Sequence, residues 1–186
     1  MTLANRITVF RIALSPVFAA LFTGWMFWHD TAWLIALWAV FLVSEFSDIA
    51  DGWVARKRGE TSDVGKLLDP FSDVVSRLTI FLCLLLAGLA PLWFFLVVLY
   101  RELSMMFLRT LMMQKGVVQA ASPGGKIKAW LYFFASLAGL VVITFKDWTG
   151  PTQYWVPMAL YIAAAAQSLF SFWQYYSGYR RLVRKP

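Results

Sequence analysis

The sequence predicts an all-α integral membrane protein, with six transmembrane helices in one bundle, residues 1–186 forming a single domain and both termini in the cytoplasm. Three observations lead there. Hydrophobic residues make up 60% of the chain and aromatics 18%, with a mean hydropathy of +0.64, far above the apolar share of a soluble domain. Apolar segments long enough to cross a hydrocarbon core of ~30 Å occur six times. Basic residues gather at alternate ends of those segments, which is the bias that orients membrane helices.

The first segment runs from near Ile7 to Trp28. Arginines lie near its start, but no small-residue cleavage site precedes a polar region, so it reads as a retained helix and not a signal peptide. The others lie near Trp33 to Val54, Lys66 to Leu89, Leu92 to Met113, Ile127 to Phe145 and Tyr154 to Tyr176. The breaks between them, WHDT, RKRGETSD, GLAP, QKGVVQAASPGGK and KDWTGPT, are short and carry turn chemistry. No internal repeat or composition shift divides the chain. Cys83 is the single cysteine, which excludes an intrachain disulfide and leaves it a packing role.

A cytoplasmic N-terminus places Arg6, Arg11, Arg56, Lys57, Arg58, Lys66, Lys115, Lys126, Lys128 and the basic tail from Arg180 on the inner face, and only Lys146 on the other. The net charge of +7 therefore belongs mostly to a face meeting anionic lipid head groups. These charges flank helix ends and form no cluster on a soluble module, so nucleic acid is not an expected partner. Trp25, Trp28 and Trp33 suit the opposite interface, and a bacterial cytoplasmic (inner) membrane is the expected location. A helix face remains available for pairing into a homodimer.

The chemistry lies between Asp48 and Asp73, at the cytoplasmic ends of the second and third helices. At 100° per residue, Asp48, Asp51, Gly52 and Ala55 share one face of the second helix, and Gly65, Asp69 and Asp73 share one face of the third. The loop RKRGETSD joins the two as a hairpin and is expected to let the faces meet. Four carboxylates converging in a low-dielectric setting need cationic compensation, because unpaired buried charge costs several kcal/mol. Arg56, Arg77 and Arg101 could each neutralise one. Oxygen ligands at this density are also the preferred surroundings of a hard divalent cation, Mg2+ or Mn2+, and the lack of cysteine and histidine argues against zinc. Two ions about 3.5–4 Å apart would balance four negative charges and suit phosphoryl displacement. Gly52 and Ala55 taken alone read as close helix packing. Beside four aspartates and the planar fork of Arg56, they read as room for a ligand to approach the backbone.

The pattern DxxDGxxARx8GxxxDxxxD is met at every position by Asp48, Asp51, Gly52, Ala55, Arg56, Gly65, Asp69 and Asp73, and it resembles the signature of the CDP-alcohol phosphotransferases. The resemblance implies transfer of a phosphatidyl or comparable group from a CDP-linked donor, CDP-diacylglycerol, to an alcohol acceptor, with release of CMP. It implies that Asp48, Asp51 and Asp69 hold two divalent cations, and that Asp73 completes the set and acts as base on the acceptor hydroxyl. By the same resemblance, Gly52, Arg56 and Ser62, with the motif positions Ala55 and Gly65, form the donor nucleotide site, and Asn5 or Thr8 closes over it. The donor's acyl chains are expected to enter laterally from the bilayer.

Among the family's branches, the chain most resembles the one that makes phosphatidylglycerol phosphate from glycerol-3-phosphate. The residues that carry this are Arg101 and Glu102, Arg109, and ASPGGKIK around Lys126. The likeness implies Arg109, Lys126, Lys128 and Arg101 as contacts for an acceptor phosphate. Lys126 and Lys128 could equally snorkel at a helix start, and Arg101 and Glu102 could be structural partners of Glu45 or Arg77. That branch continues its third-helix motif with Ala, Asp and Lys, where this chain has Ser72, Asp73 and Val74. Inositol phosphate, serine or another alcohol therefore stays open as acceptor. Intramembrane carboxylates beside arginines also mark ion and proton transporters, but here no repeat is visible and the acids lie near one membrane face.

Overall fold

The computed structural model describes residues 3–58, 63–114, 123–145 and 152–183, all helical apart from short turns. The six helices are α1 (Leu3–Trp28), α2 (Thr31–Arg58), α3 (Asp63–Leu86), α4 (Leu92–Gln114), α5 (Pro123–Thr144) and α6 (Thr152–Val183). Each expected apolar segment falls on a helix and most helices extend beyond it, but α3 ends at Leu86, three residues before the expected Leu89, where the turn at Gly88 begins. α1 takes in Asn5, and α2 runs on through the basic residues to Arg58.

The turns follow from local chemistry. After α1, His29 adopts a positive φ of 49° and its N–H donates to the Trp25 carbonyl at 2.9 Å, while Asp30 Oδ1 accepts from the N–H of Ala32 at 3.1 Å and caps α2. At the end of α3, Gly88 takes the left-handed conformation with φ 73°, which a side chain would oppose. The Pro91 carbonyl then accepts from Phe94 and Phe95 as α4 begins.

Among the described residues, four helices contain a stretch long and apolar enough to cross a membrane: Asn5–Trp28, Thr31–Asp48, Gly125–Thr144 and Tyr154–Arg180. α3 and α4 fall short of that apolarity because Asp69, Asp73 and Arg77 interrupt one, and Arg101, Glu102 and Arg109 the other. Large apolar side chains cover the outside: Phe27, Ile35, Phe46, Phe107, Trp130 and Trp155 are all exposed. Such a surface suits hydrocarbon and is far too apolar for water.

The chain divides into two compact units, Met1–Ala87 and Gly88–Pro186. In the first, α1 packs against both α2 and α3, around a core that includes Phe18, Phe22, Leu37, Phe41, Phe81 and Leu84. Gly24 sits where a Cβ would come within 2.6 Å of the Trp33 ring, so its lack of a side chain lets α1 and α2 close at the ends joined by their turn. In the second unit α6 packs against both α4 and α5, and Phe94 meets Tyr161 with ring centroids 4.6 Å apart. Met105, Leu108, Met112 and Tyr175 form an apolar cluster between α4 and α6.

Candidate functional site

α1 carries a buried polar stripe made of Asn5, Thr8, Arg11 and Ser15, spaced at three, three and four residues. That spacing holds them to one side of the helix. The stripe faces α3. Ser15 lies 3.2 Å from Ser76 in hydroxyl contact, and Ser72 Oγ, fully buried, donates to the Thr8 carbonyl at 3.5 Å.

Arg11 is the centre of this contact. Its Nε donates to Ser72 Oγ at 2.8 Å, its Nη1 to Asp48 Oδ1 on α2, and its Nη2 to Asp69 Oδ1 at 3.0 Å, with Asp73 Oδ1 3.5 Å from the same nitrogen. The Arg11 side chain is 2% exposed, whereas those of Asp48, Asp69 and Asp73 are 44%, 57% and 59% exposed. The guanidinium thus approaches the three carboxylates from the protein interior and leaves their outer side open. About one turn along each helix from this cluster, Arg77 of α3 grips Glu45 of α2 through two bonds of 2.6 and 2.9 Å, which fixes how the two helices face each other.

Asp48, Asp69 and Asp73 can each present a carboxylate oxygen within 4.8 Å of the other two, close enough to hold one metal ion. The donor set is all oxygen, as a hard divalent cation requires. The motif aspartates described are therefore brought together as the spacing predicts, but the helix that gathers them is α1. Among the described residues the compensating cation at Asp48, Asp69 and Asp73 is Arg11, and the Arg56 side chain lies outside the described residues. Arg77 instead pairs with Glu45. In the sequence Arg11 counts only towards orientation, and the signal that marks it is the polar stripe on an otherwise apolar first helix.

Of the remaining motif positions, Asp51, Gly52, Ala55 and Arg56 lie on the unbroken part of α2, but the side chains there fall outside the described residues. Gly65 lies half-buried near the start of α3. Ser62 is outside the described residues. Asn5 and Thr8 both belong to the buried stripe beside Arg11.

The acceptor-phosphate candidates belong to the second unit. Arg101 is 6% exposed and donates through Nη1 to both oxygens of Glu102 at 2.9 Å, through Nη2 to Ser171 Oγ at 2.8 Å and through Nε to the Ser168 carbonyl at 3.3 Å. Lys128 Nζ donates to Glu102 Oε1 at 2.8 Å and lies 4.8 Å above the Tyr132 ring. The Tyr132 hydroxyl reaches Glu102 Oε1 at 3.1 Å and Ser168 Oγ at 2.8 Å. Arg101 and Glu102 bond to each other and not to Glu45 or Arg77, which pair together, and Lys128 joins them. Arg109 reaches Tyr175, and Lys126 is exposed near the start of α5.

A half-open cluster of carboxylates on a membrane-type helical scaffold, backed by one buried guanidinium, is an oxygen-donor site of the kind that serves phosphoryl chemistry. Residues 1–173 match the CDP-alcohol phosphatidyltransferase family, a match that runs through both units, and the chain belongs to that family. It is 34% identical to a CDP-diacylglycerol–glycerol-3-phosphate 3-phosphatidyltransferase of Treponema pallidum, over 92% of this chain and 89% of the relative. It is 32% identical to the protein of the same description in Bacillus subtilis, over 94% and 93%. A probable phosphatidylglycerophosphate synthase of Mycobacterium tuberculosis is 34% identical over 76% of this chain and 66% of its own length.

Proposed function

We propose that this protein transfers the phosphatidyl group of CDP-diacylglycerol to the hydroxyl of glycerol-3-phosphate, giving phosphatidylglycerol phosphate and CMP. The observation that carries the reading is the convergence of Asp48, Asp69 and Asp73, three positions of an eight-position motif that the chain meets in full. The relatives named for glycerol-3-phosphate supply the acceptor.

On this reading Asp48, Asp51 and Asp69, with Asp73, hold two divalent cations, Mg2+ or Mn2+. Bound there, the cations supply charge neutralisation on the pyrophosphate and on the departing CMP. Asp73 takes the proton of the acceptor hydroxyl as its oxygen bonds to the phosphatidyl phosphorus and the bond from that phosphorus to CMP oxygen breaks. Gly52, Ala55, Arg56, Ser62 and Gly65 contact the cytidine diphosphate part, with Asn5 or Thr8 closing over it. Arg109 and Lys126 receive the acceptor phosphate. Arg101, Lys128 and Glu102 together carry one net positive charge, which suits an anionic acceptor.

All six helices span the membrane on this reading, the four apolar ones setting the depth and the charged residues of α3 and α4 kept from the hydrocarbon. Both termini and the site then face the cytoplasm, in a bacterial inner membrane. The donor's acyl chains reach the site from the bilayer, and the two units work as one domain, in a homodimer paired through a helix face.

The test is CMP release from CDP-diacylglycerol in detergent, with a panel of glycerol-3-phosphate, inositol phosphate and serine, with Mg2+ and after chelation. Turnover that needs both Mg2+ and glycerol-3-phosphate is expected. A preference for inositol phosphate or serine would move the acceptor, a change that Val74 in place of lysine would accommodate. No CMP with any alcohol would return the aspartates to ion or proton transport.

A further inference from the structure

Carboxylates this close repel one another whether or not a divalent cation is bound, and α1 supplies a permanent positive charge between three of them. The guanidinium of Arg11 bonds to Asp48 and Asp69 and stands 3.5 Å from Asp73. Those are the same three residues whose oxygens lie within 4.8 Å of one another. A metal ion seated among them and a guanidinium bonded among them draw on one small set of oxygen lone pairs, and they repel each other as like charges. The two cations also come from opposite sides. Arg11 is almost wholly buried and held at Nε by Ser72, while the carboxylates are open to the outside.

We propose that Arg11 is a built-in competitor of the site's divalent cation: it holds Asp48, Asp69 and Asp73 together in the metal-free protein and withdraws from their oxygens when the ion binds. The inference rests on reading these aspartates as metal ligands. Its consequence is that Arg11 acts as a positioning residue that weakens metal binding while preventing the empty site from flying apart. A residue that merely supported the metal-bound site would do the opposite and tighten binding.

The measurement is thermal unfolding of the full-length protein in detergent as a function of Mg2+ concentration, for wild type, Arg11→Gln and Ser72→Ala. The wild-type Tm rises with Mg2+. Arg11→Gln has a lower Tm without metal, and its Mg2+ midpoint falls at least about fivefold, the low end of ordinary coupling between two ligands. Ser72→Ala, which frees Nε but keeps the charge, moves the midpoint the same way by less, and it serves where the glutamine variant folds only with metal present. Millimolar guanidinium chloride raises the midpoint of Arg11→Gln towards the wild-type value and leaves wild type unchanged. An unchanged or higher Mg2+ midpoint in the variants overturns the inference while the metal reading stands. A wild-type Tm indifferent to Mg2+ and Mn2+ overturns the metal reading itself, and the inference with it.

Discussion

Replacing Glu102 by glutamine isolates the energetic weight of the second unit's charged cluster. Arg101, Glu102 and Lys128 have side chains 5%, 7% and 17% exposed, and Glu102 accepts from both cations at 2.8 to 2.9 Å. With charge centres near 4 Å and an effective dielectric of about 20, each attraction is worth about 4 kcal/mol before desolvation is counted. Glutamine keeps the shape and one carbonyl acceptor, but it leaves two buried cations with no anion between them. Breaking a buried pair in this way costs about 3–5 kcal/mol. In a chain of this length that corresponds to a fall in Tm of roughly 10 °C. The assay is thermal unfolding in detergent as a double-mutant cycle with Lys128→Met, which restores a net charge of one. The double variant should be more stable than Glu102→Gln alone, so the two changes should not add. Equal Tm values for Glu102→Gln and wild type, or strict additivity with Lys128→Met, would refute the assignment of Glu102 as the shared anion.

Asp73→Asn should cut CMP release by at least about 100-fold, the scale of a lost general base, with little change in Tm because the side chain is more than half exposed. Lys126→Ala should raise the KM for glycerol-3-phosphate and leave that for the CDP-linked donor unchanged, which initial-rate kinetics on both substrates will show. Tyr161→Phe should be neutral or raise Tm slightly, because among the described residues the buried Tyr161 hydroxyl has no hydrogen-bond partner and its removal lifts a desolvation penalty of ~1–3 kcal/mol.

The helices were legible because helix-length apolar runs bounded by turn residues mark them, and all six expected segments fall on helices, although charged residues hold α3 and α4 below the apolarity of a membrane span. The aspartates were legible because helical periodicity puts i and i+4 on one face, as it does for Asp69 and Asp73. Arg11 was not. Averaged over the first helix, Arg11 following Arg6 looks like part of a flank that orients the chain, and only its register with Asn5, Thr8 and Ser15 marks it as inward-facing. Ion pairing was opaque for a different reason. Neighbours at i and i+1 do not face each other on a helix, so sequence gave no ground for joining Arg101 to Glu102. Ser168 and Ser171 from α6, with Lys128 and Tyr132 from α5, gather the two side chains. Such partners are 26 to 70 residues away along the chain.

Each unit contains a cluster whose formal charge does not cancel internally. In the first, among the described residues, Asp48, Asp69 and Asp73 against Arg11 leave two negative charges, a complement for divalent cations. In the second, Arg101 and Lys128 against Glu102 leave one positive charge, a complement for an anion. Keeping ionised groups in an apolar chain is costly unless something bound recovers the cost. The proposed reaction brings both kinds of complement, metal ions with the pyrophosphate and a phosphate on the acceptor. A transporter for a single cation would account for the first cluster and leave the second without a purpose, so the sign of the second cluster favours a phosphate-bearing acceptor over serine.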